Sequence, residues 1–110
     1  MERFVRGDVV VTNFPFSDLS SSIKRPSLIV ANLPGDDLII CPITTKERED
    51  PNTVILGEKD FKQGKLKVSS FIRAGKLITL RSSLISYKIG LLKKEKLEEV
   101  LDKIIKIFKK

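Results

Sequence analysis

The sequence predicts a small, mostly-β domain closed by a C-terminal helix. Short β-branched runs punctuated by Gly, Pro and Asn fill residues 8 to 81, the pattern of a small sheet or barrel. Beyond residue 93 the apolar period lengthens from that of a strand to that of a helix. With 110 residues, 41% of them hydrophobic, the chain has core enough for one domain. Residues 1 to 110 therefore read as a single unit, with any active site in a shallow groove or between two copies.

The first strand is expected over Asp8 to Asn13, around Val9-Val10-Val11-Thr12, and the second over Ser27 to Ala31. The third, Leu38 to Cys41, follows the turn Pro34-Gly35-Asp36-Asp37, so strands two and three form a hairpin. Thr53 to Leu56 lies between Pro51-Asn52 and Gly57, and Lys67 to Ile72 and Lys76 to Leu80 complete a set separated by Gly64 and Gly75. The apolar runs are nearly continuous rather than alternating, which fits strands covered on much of both faces.

Leu97, Val100, Leu101, Ile104, Ile105 and Phe108 recur at the spacing of an amphipathic helix, placed at about residues 93 to 109. It is expected to pack on the sheet with Lys103, Lys106 and Lys109 in solvent, supported by the i,i+4 pairs Glu99–Lys103 and Asp102–Lys106. Lys93 makes a poor N-cap. A membrane-surface helix is the other reading of this stripe. Two polar loops, Ser17 to Lys24 and Lys46 to Asp50, are where binding residues are expected.

Charge narrows the class of partner. Lys and Arg number 21 against 14 Asp and Glu, a net charge of +7, which favours polyanions, nucleic acid first. The lone Cys41 lies in Leu38-Ile39-Ile40-Cys41 and reads as a buried hydrophobe that forms no internal disulfide. No apolar run has membrane-spanning length and Met1 to Phe4 carries no signal-peptide pattern, so a cytoplasmic location is expected. There is no histidine, which removes the usual metal ligand and the usual general base. The carboxylates are scattered, so neither a metal nor a cofactor is expected.

Arg25, held by Pro26 in an extended conformation, can grip a phosphate bidentately or be a solvated arginine at a strand start. Thr44 and Thr45 end the third strand, where their hydroxyls can donate to a phosphate or satisfy their own backbone. Phe14 and Phe16 offer rings for base stacking or for the core. Residue by residue, both readings stay open.

Taken in order, Gly7-Asp8-Val9-Val10-Val11, Phe14-Pro15-Phe16-Ser17-Asp18, Ser20-Ser21-Ser22, Lys24-Arg25-Pro26 with Leu28-Ile29-Val30, and Pro42-Ile43-Thr44-Thr45 resemble the successive signatures of the MazF/PemK toxin family. Ser70-Phe71-Ile72-Arg73, Lys76 to Leu80 and Leu97 to Val100 continue the likeness, which covers the chain from Gly7 onward. The first loop lacks the glycines of some branches and is closest to the PemK-like one. The resemblance implies a small SH3-like or CcdB-like β-barrel with a C-terminal helix, usually a homodimer. It also implies a metal-independent endoribonuclease, the toxin half of a type II toxin-antitoxin pair silenced by a cognate antitoxin.

The family's catalytic arginine and threonine fall on Arg25 and Thr44. The family's chemistry is attack of a 2′-hydroxyl on the adjacent phosphorus of single-stranded RNA, leaving 2′,3′-cyclic phosphate and 5′-hydroxyl ends. Phe16, Ser20, Ser21, Ser22, Lys24, Thr45, Arg73, Lys76 and Arg81 are the candidate RNA contacts. After Thr79-Leu80 the family often has an acidic residue where this chain has Arg81. A CcdB-like gyrase poison and a catalytically silent nucleic-acid-binding barrel are the alternatives, because a shared fold does not dictate function.

Overall fold

The computed structural model describes residues 3 to 15, 22 to 47 and 49 to 110, without the side chains of residues 14, 15, 22 and 23. Among the described residues eight strands form one curled antiparallel sheet: β1 (Asp8–Pro15), β2 (Ser22–Asn32), β3 (Asp37–Thr44), β4 (Thr53–Leu56), β5 (Phe61–Gly64), β6 (Ser70–Arg73), β7 (Ile78–Arg81) and β8 (Ile85–Leu92). A single α-helix, α1 (Lys94–Phe108), follows. The sheet order is β4-β6-β3-β2-β1-β8-β5. Along one edge of β3, β7 pairs with Asp37 to Ile40 and β6 with Ile43 and Thr44.

Both faces of the central strands β1, β2 and β3 carry core residues, which is why runs such as Val9-Val10 and Leu28-Ile29 are continuously apolar. On one face Val9, Leu28, Cys41, Ile43, Val54, Leu56 and Ile72 form a core under α1, which contributes Val100 fully buried with Leu97, Leu101 and Ile104 packed against it. On the other, Val10, Ile29, Leu38, Ile40, Leu80 and Ile85 make a smaller core closed by Phe4, Ile78 and Leu84. Neighbours such as Val9 and Val10, or Leu28 and Ile29, divide between the two by strand alternation.

The Pro34 to Asp37 turn does join β2 to β3, with Gly35 at φ +77°, the left-handed conformation that glycine adopts without penalty. The first hairpin is longer than expected. Ser22, Ile23 and Lys24 belong to β2, paired with Pro15, Phe14 and Asn13, so β2 takes residues assigned above to the loop. β6 and β7 start later than the Lys67 and Lys76 expected. β5 and β8 were not anticipated at all: β5 is a four-residue edge strand with one buried side chain, and β8 is paired to β1 through two register shifts that break its alternation.

The helix departs from its expected wheel at its far end. Ile105 is 51% and Phe108 72% exposed. Ile105 lies about 140° around the helix from Val100 at 100° per residue, and Phe108 falls in the last turn. Lys103 is half-buried rather than solvated, whereas Lys106 and Lys109 are exposed. Among the described residues neither i,i+4 pair forms. Instead Glu99 meets Lys96 Nζ at 2.9 Å, and Lys96 also donates to the carbonyl of Ile55 at 2.9 Å and lies 3.7 Å from Asp60. Lys93 is the N-cap and makes no side-chain capping bond.

Among the described residues no helix is long and apolar enough to cross a membrane, and no group of three His, Cys, Asp or Glu side chains is placed to hold a metal ion. Cys41 is wholly buried, and burial pushes its thiol from 9.0 to about 12.

Candidate active site

The face that carries the smaller core becomes polar toward one end. Val10, Ile29 and Ile40 are followed two residues along their strands by Thr12, Ser27 and Pro42. Thr12 and Ser27 are wholly buried. The Thr12 hydroxyl donates to the carbonyl of Arg25 at 3.2 Å, and its oxygen is 3.2 Å from Ser27 Oγ. Since Thr12 has one hydroxyl proton and spends it on Arg25, Ser27 is the donor in the second contact. This pair satisfies two buried hydroxyls and ties down the backbone that carries the Arg25 guanidinium.

Thr12 pairs with Arg25 across β1 and β2. On the other side, β2 pairs with β3 as far as Ser27 opposite Pro42. Two residues beyond that last pair lie Arg25 on β2 and Thr44 on β3, which strand alternation sends to the same face as Thr12 and Ser27. Pro42 has no N–H to continue the ladder, and Ile43 and Thr44 pair instead with Ile72 and Phe71 of β6. Arg25 is exposed and Thr44 half-buried. The Thr44 Oγ1 accepts from the backbone N–H of Lys46 at 3.1 Å, which orients the hydroxyl and leaves its proton free to donate outward.

The other sequence candidates scatter. Arg73 lies on the same face, two residues along β6 from Phe71, and its Nε is buried with no hydrogen-bond partner among the described residues. A buried donor without an acceptor costs on the order of 1–3 kcal/mol. Lys76 is exposed in the turn after β6, where its N–H bonds the carbonyl of Arg73. Thr45 is exposed just beyond β3, and Lys24 alternates to the face opposite Arg25.

Arg81 sits apart from this group. It pairs with Asp37 at the other end of β3, about 20 Å from Thr44 at the rise of a strand. Phe16, Ser20 and Ser21 lie outside the described residues, and Ser22 opens β2 with its side chain also outside them.

Thr12 and Ser27 were not singled out in the sequence. The signal available was alternation: a hydroxyl two residues beyond Val10 on one strand and beside Arg25-Pro26 on the next. Without the register, nothing joins the two. Chemically the site offers a guanidinium on a tied-down backbone and a hydroxyl donor on the same face of the next strand, groups suited to holding a charged oxygen.

Solved structures share this architecture. An endoribonuclease from Mycobacterial species, in complex with its cognate antitoxin, superposes with TM-score 0.77 at 18% identity over 97% of this chain and 96% of that one. A MazE-MazF structure from Deinococcus radiodurans gives TM-score 0.77 at 22% identity over 96% and 95%. Mycobacterium tuberculosis toxin MazF-mt6 gives TM-score 0.73 at 17% identity over 93% and 96%. At these identities the likeness is one of fold, a mostly-β sheet with a C-terminal helix. No curated protein matches the sequence. The family described as "PemK-like, MazF-like toxin of type II toxin-antitoxin system" matches residues 5–108, and the chain, matched over nearly all its length, belongs to that toxin family.

Proposed function

We propose that this toxin is an endoribonuclease that cuts single-stranded RNA without a metal ion, at the site defined by Arg25 and Thr44. The observation that supports this reading is that Arg25 and Thr44 fall on the same face of neighbouring strands, beside the buried Thr12–Ser27 pair. The solved relatives, an endoribonuclease among them, agree with it.

In the proposed step the 2′-oxygen of one nucleotide forms a bond to the adjacent phosphorus, and the bond from phosphorus to the 5′-oxygen breaks. The products are a 2′,3′-cyclic phosphate and a 5′-hydroxyl. The 2′-hydroxyl proton leaves to a base and the departing 5′-oxygen gains a proton. Arg25 stabilises the charged phosphorane and is placed to assist the leaving oxygen, while Thr44 donates to a non-bridging oxygen. Arginine stays protonated and cannot be the base, and no residue is assigned to that role. Arg73 and Lys76 hold flanking phosphates and thereby set the RNA's position.

The net charge of +7 suits both an RNA substrate and an antitoxin whose toxin-binding segment is acidic. A homodimer in the cytoplasm completes the reading. The test is incubation of the protein and its Arg25→Ala variant with a long unstructured RNA in EDTA, with the fragment ends analysed. Discrete cuts ending in cyclic phosphate, made only by the parent, are expected. Intact RNA from a folded parent on several RNAs overturns the nuclease reading, and co-purification of gyrase in that case points to the CcdB-like alternative.

A further inference from the structure

Beside Thr44 the sheet carries an apolar step that nothing in the catalytic scheme uses. Ile72 is buried on the helix side of the sheet, as are Ile43, Val54 and Leu56. Strand alternation therefore sends Thr44, Phe71 and Ile55 to the opposite face. Phe71 pairs directly with Thr44 on one side and with Ile55 on the other. Thr44, Phe71 and Ile55 thus form one row across three neighbouring strands, with Arg25 on the same face of β2 beyond it. At roughly 4.8 Å per strand, Phe71 is one step and Ile55 about 10 Å from Thr44.

Phe71 is half-buried and Ile55 is 66% exposed. The rest of this face closes over its own apolar residues, with Ile29, Ile40 and Leu80 shut in. At the end beside Thr44 the layer stays open, with Ile55 exposed. The open end is flanked by cations, Arg25 across Thr44 from the step and Arg73 two residues along β6, its Nε unpartnered among the described residues.

We propose that Phe71 and Ile55 form the platform on which a nucleobase next to the scissile phosphate stacks. The inference rests on the ribonuclease reading and extends it to how the substrate is held. A nucleotide presents a flat apolar ring on a negatively charged backbone, and this surface offers a ring and a branched aliphatic side chain between two guanidinium groups. Stacking is tolerant of base identity because every base has a π-face, so this position holds the RNA in place with loose discrimination. Addition of a second chain along the open edge of β4 is disfavoured, because the Ile55 carbonyl already accepts from Lys96 Nζ at 2.9 Å, and edge acceptors are what strand addition uses.

The test uses oligonucleotides of the cleaved sequence with a 2′-deoxynucleotide at the cut, which removes the attacking hydroxyl, and 2-aminopurine placed in turn at each neighbouring position. The parent should quench the fluorescence at one position beside the cut. Phe71→Leu, which keeps apolar volume but removes the ring, should abolish that quenching. Phe71→Ala should weaken binding on the order of ten- to a hundredfold, and Ile55→Thr, which preserves a branched strand former, should weaken it less.

Unchanged quenching in folded Phe71→Leu overturns the platform. So does conversion of a dimer to monomers by Ile55→Thr with RNA binding intact, which would make the step an interface between copies. Cleavage of all-ribose RNA is measured alongside. Cuts by a parent that quenches no probe overturn the platform alone, and a parent that neither cuts nor binds overturns both readings.

Discussion

The hydroxyl of Thr12 donates to the main-chain carbonyl of Arg25 at 3.2 Å, so a wholly buried side chain in β1 holds the stretch of β2 backbone from which the Arg25 side chain extends. The Ser27 hydroxyl completes the arrangement from within the same strand as Arg25.

Replacing Thr12 with Val keeps the shape and removes both contacts, leaving Ser27 Oγ without its acceptor. Unfolding in urea should show a loss of about 1–2 kcal/mol. RNA cleavage should fall by roughly tenfold or more because the arginine loses its fixed geometry. Thr12→Ser, which restores a hydroxyl, should recover most of the rate, a recovery that general destabilisation would not produce.

Thr44 is expected to act through its free proton, the oxygen being engaged by the Lys46 N–H. Thr44→Val should lower kcat by about 10²-fold, the usual effect of losing one donor to a developing charge, with a smaller change in KM. Thr44→Ser should retain activity. Equal kcat values for Val and Ser would remove the hydroxyl from the mechanism.

Lys96 ties the first turn of α1 to β4 and to the turn Glu58–Asp60 through the Ile55 carbonyl, Asp60 and Glu99. Lys96→Met should cost about 1–3 kcal/mol, because the part-buried Asp60 and the carbonyl each lose a partner. The urea midpoint should fall, while Lys103→Met, outside this network, should shift it much less.

Cys41 gives a pH signature. Its thiol is pushed from 9.0 to about 12 by burial, so in alkali the unfolded chain loses this proton before the folded chain does. The folded state's advantage is therefore complete below pH 9 and is lost as pH rises toward 12. Stability measured across this window should fall more steeply for the parent than for Cys41→Ala, the difference isolating Cys41 from the lysines that titrate in the same range. The native thiol should also resist alkylation at pH 8 and react once the chain is unfolded.

Gly64 adopts φ +74°, and a side chain there would run into the carbonyl of Ile89 and the Cα of Gly90. Gly64→Ala should destabilise the chain by more than about 2 kcal/mol and should expose the amides of β5 to hydrogen exchange first, since β5 pairs with β8 alone among the described residues.

Local pattern explains what was legible. Val9-Val10-Val11, Leu28-Ile29-Val30 and Leu38-Ile39-Ile40 announce strands buried on both sides, and the spacing from Leu97 to Ile104 announces a helix. β5 escaped because Phe61 is its only buried residue, and β8 because two irregularities in its pairing with β1 interrupt any period. The exposure of Ile105 and Phe108 was equally invisible, since a helical wheel marks an apolar stripe but not where the sheet beneath it ends.

The sequence by itself determined the mostly-β fold, the C-terminal helix, the basic balance and, through ordered short motifs, the toxin family and the candidates Arg25 and Thr44. Those properties are written in composition and in periods of two and 3.6, which neighbouring residues carry. Only the tertiary structure decided that Thr12 and Ser27 lie beneath Arg25, that Arg73 shares their face while Arg81 sits at the far end of β3, and that Phe71 and Ile55 continue the row beyond Thr44. Such neighbours depend on which strands lie side by side and in what register, and a one-residue slip turns every side chain to the other face. That choice is made by long-range packing of two cores on opposite faces of the sheet, which no local stretch of the chain encodes.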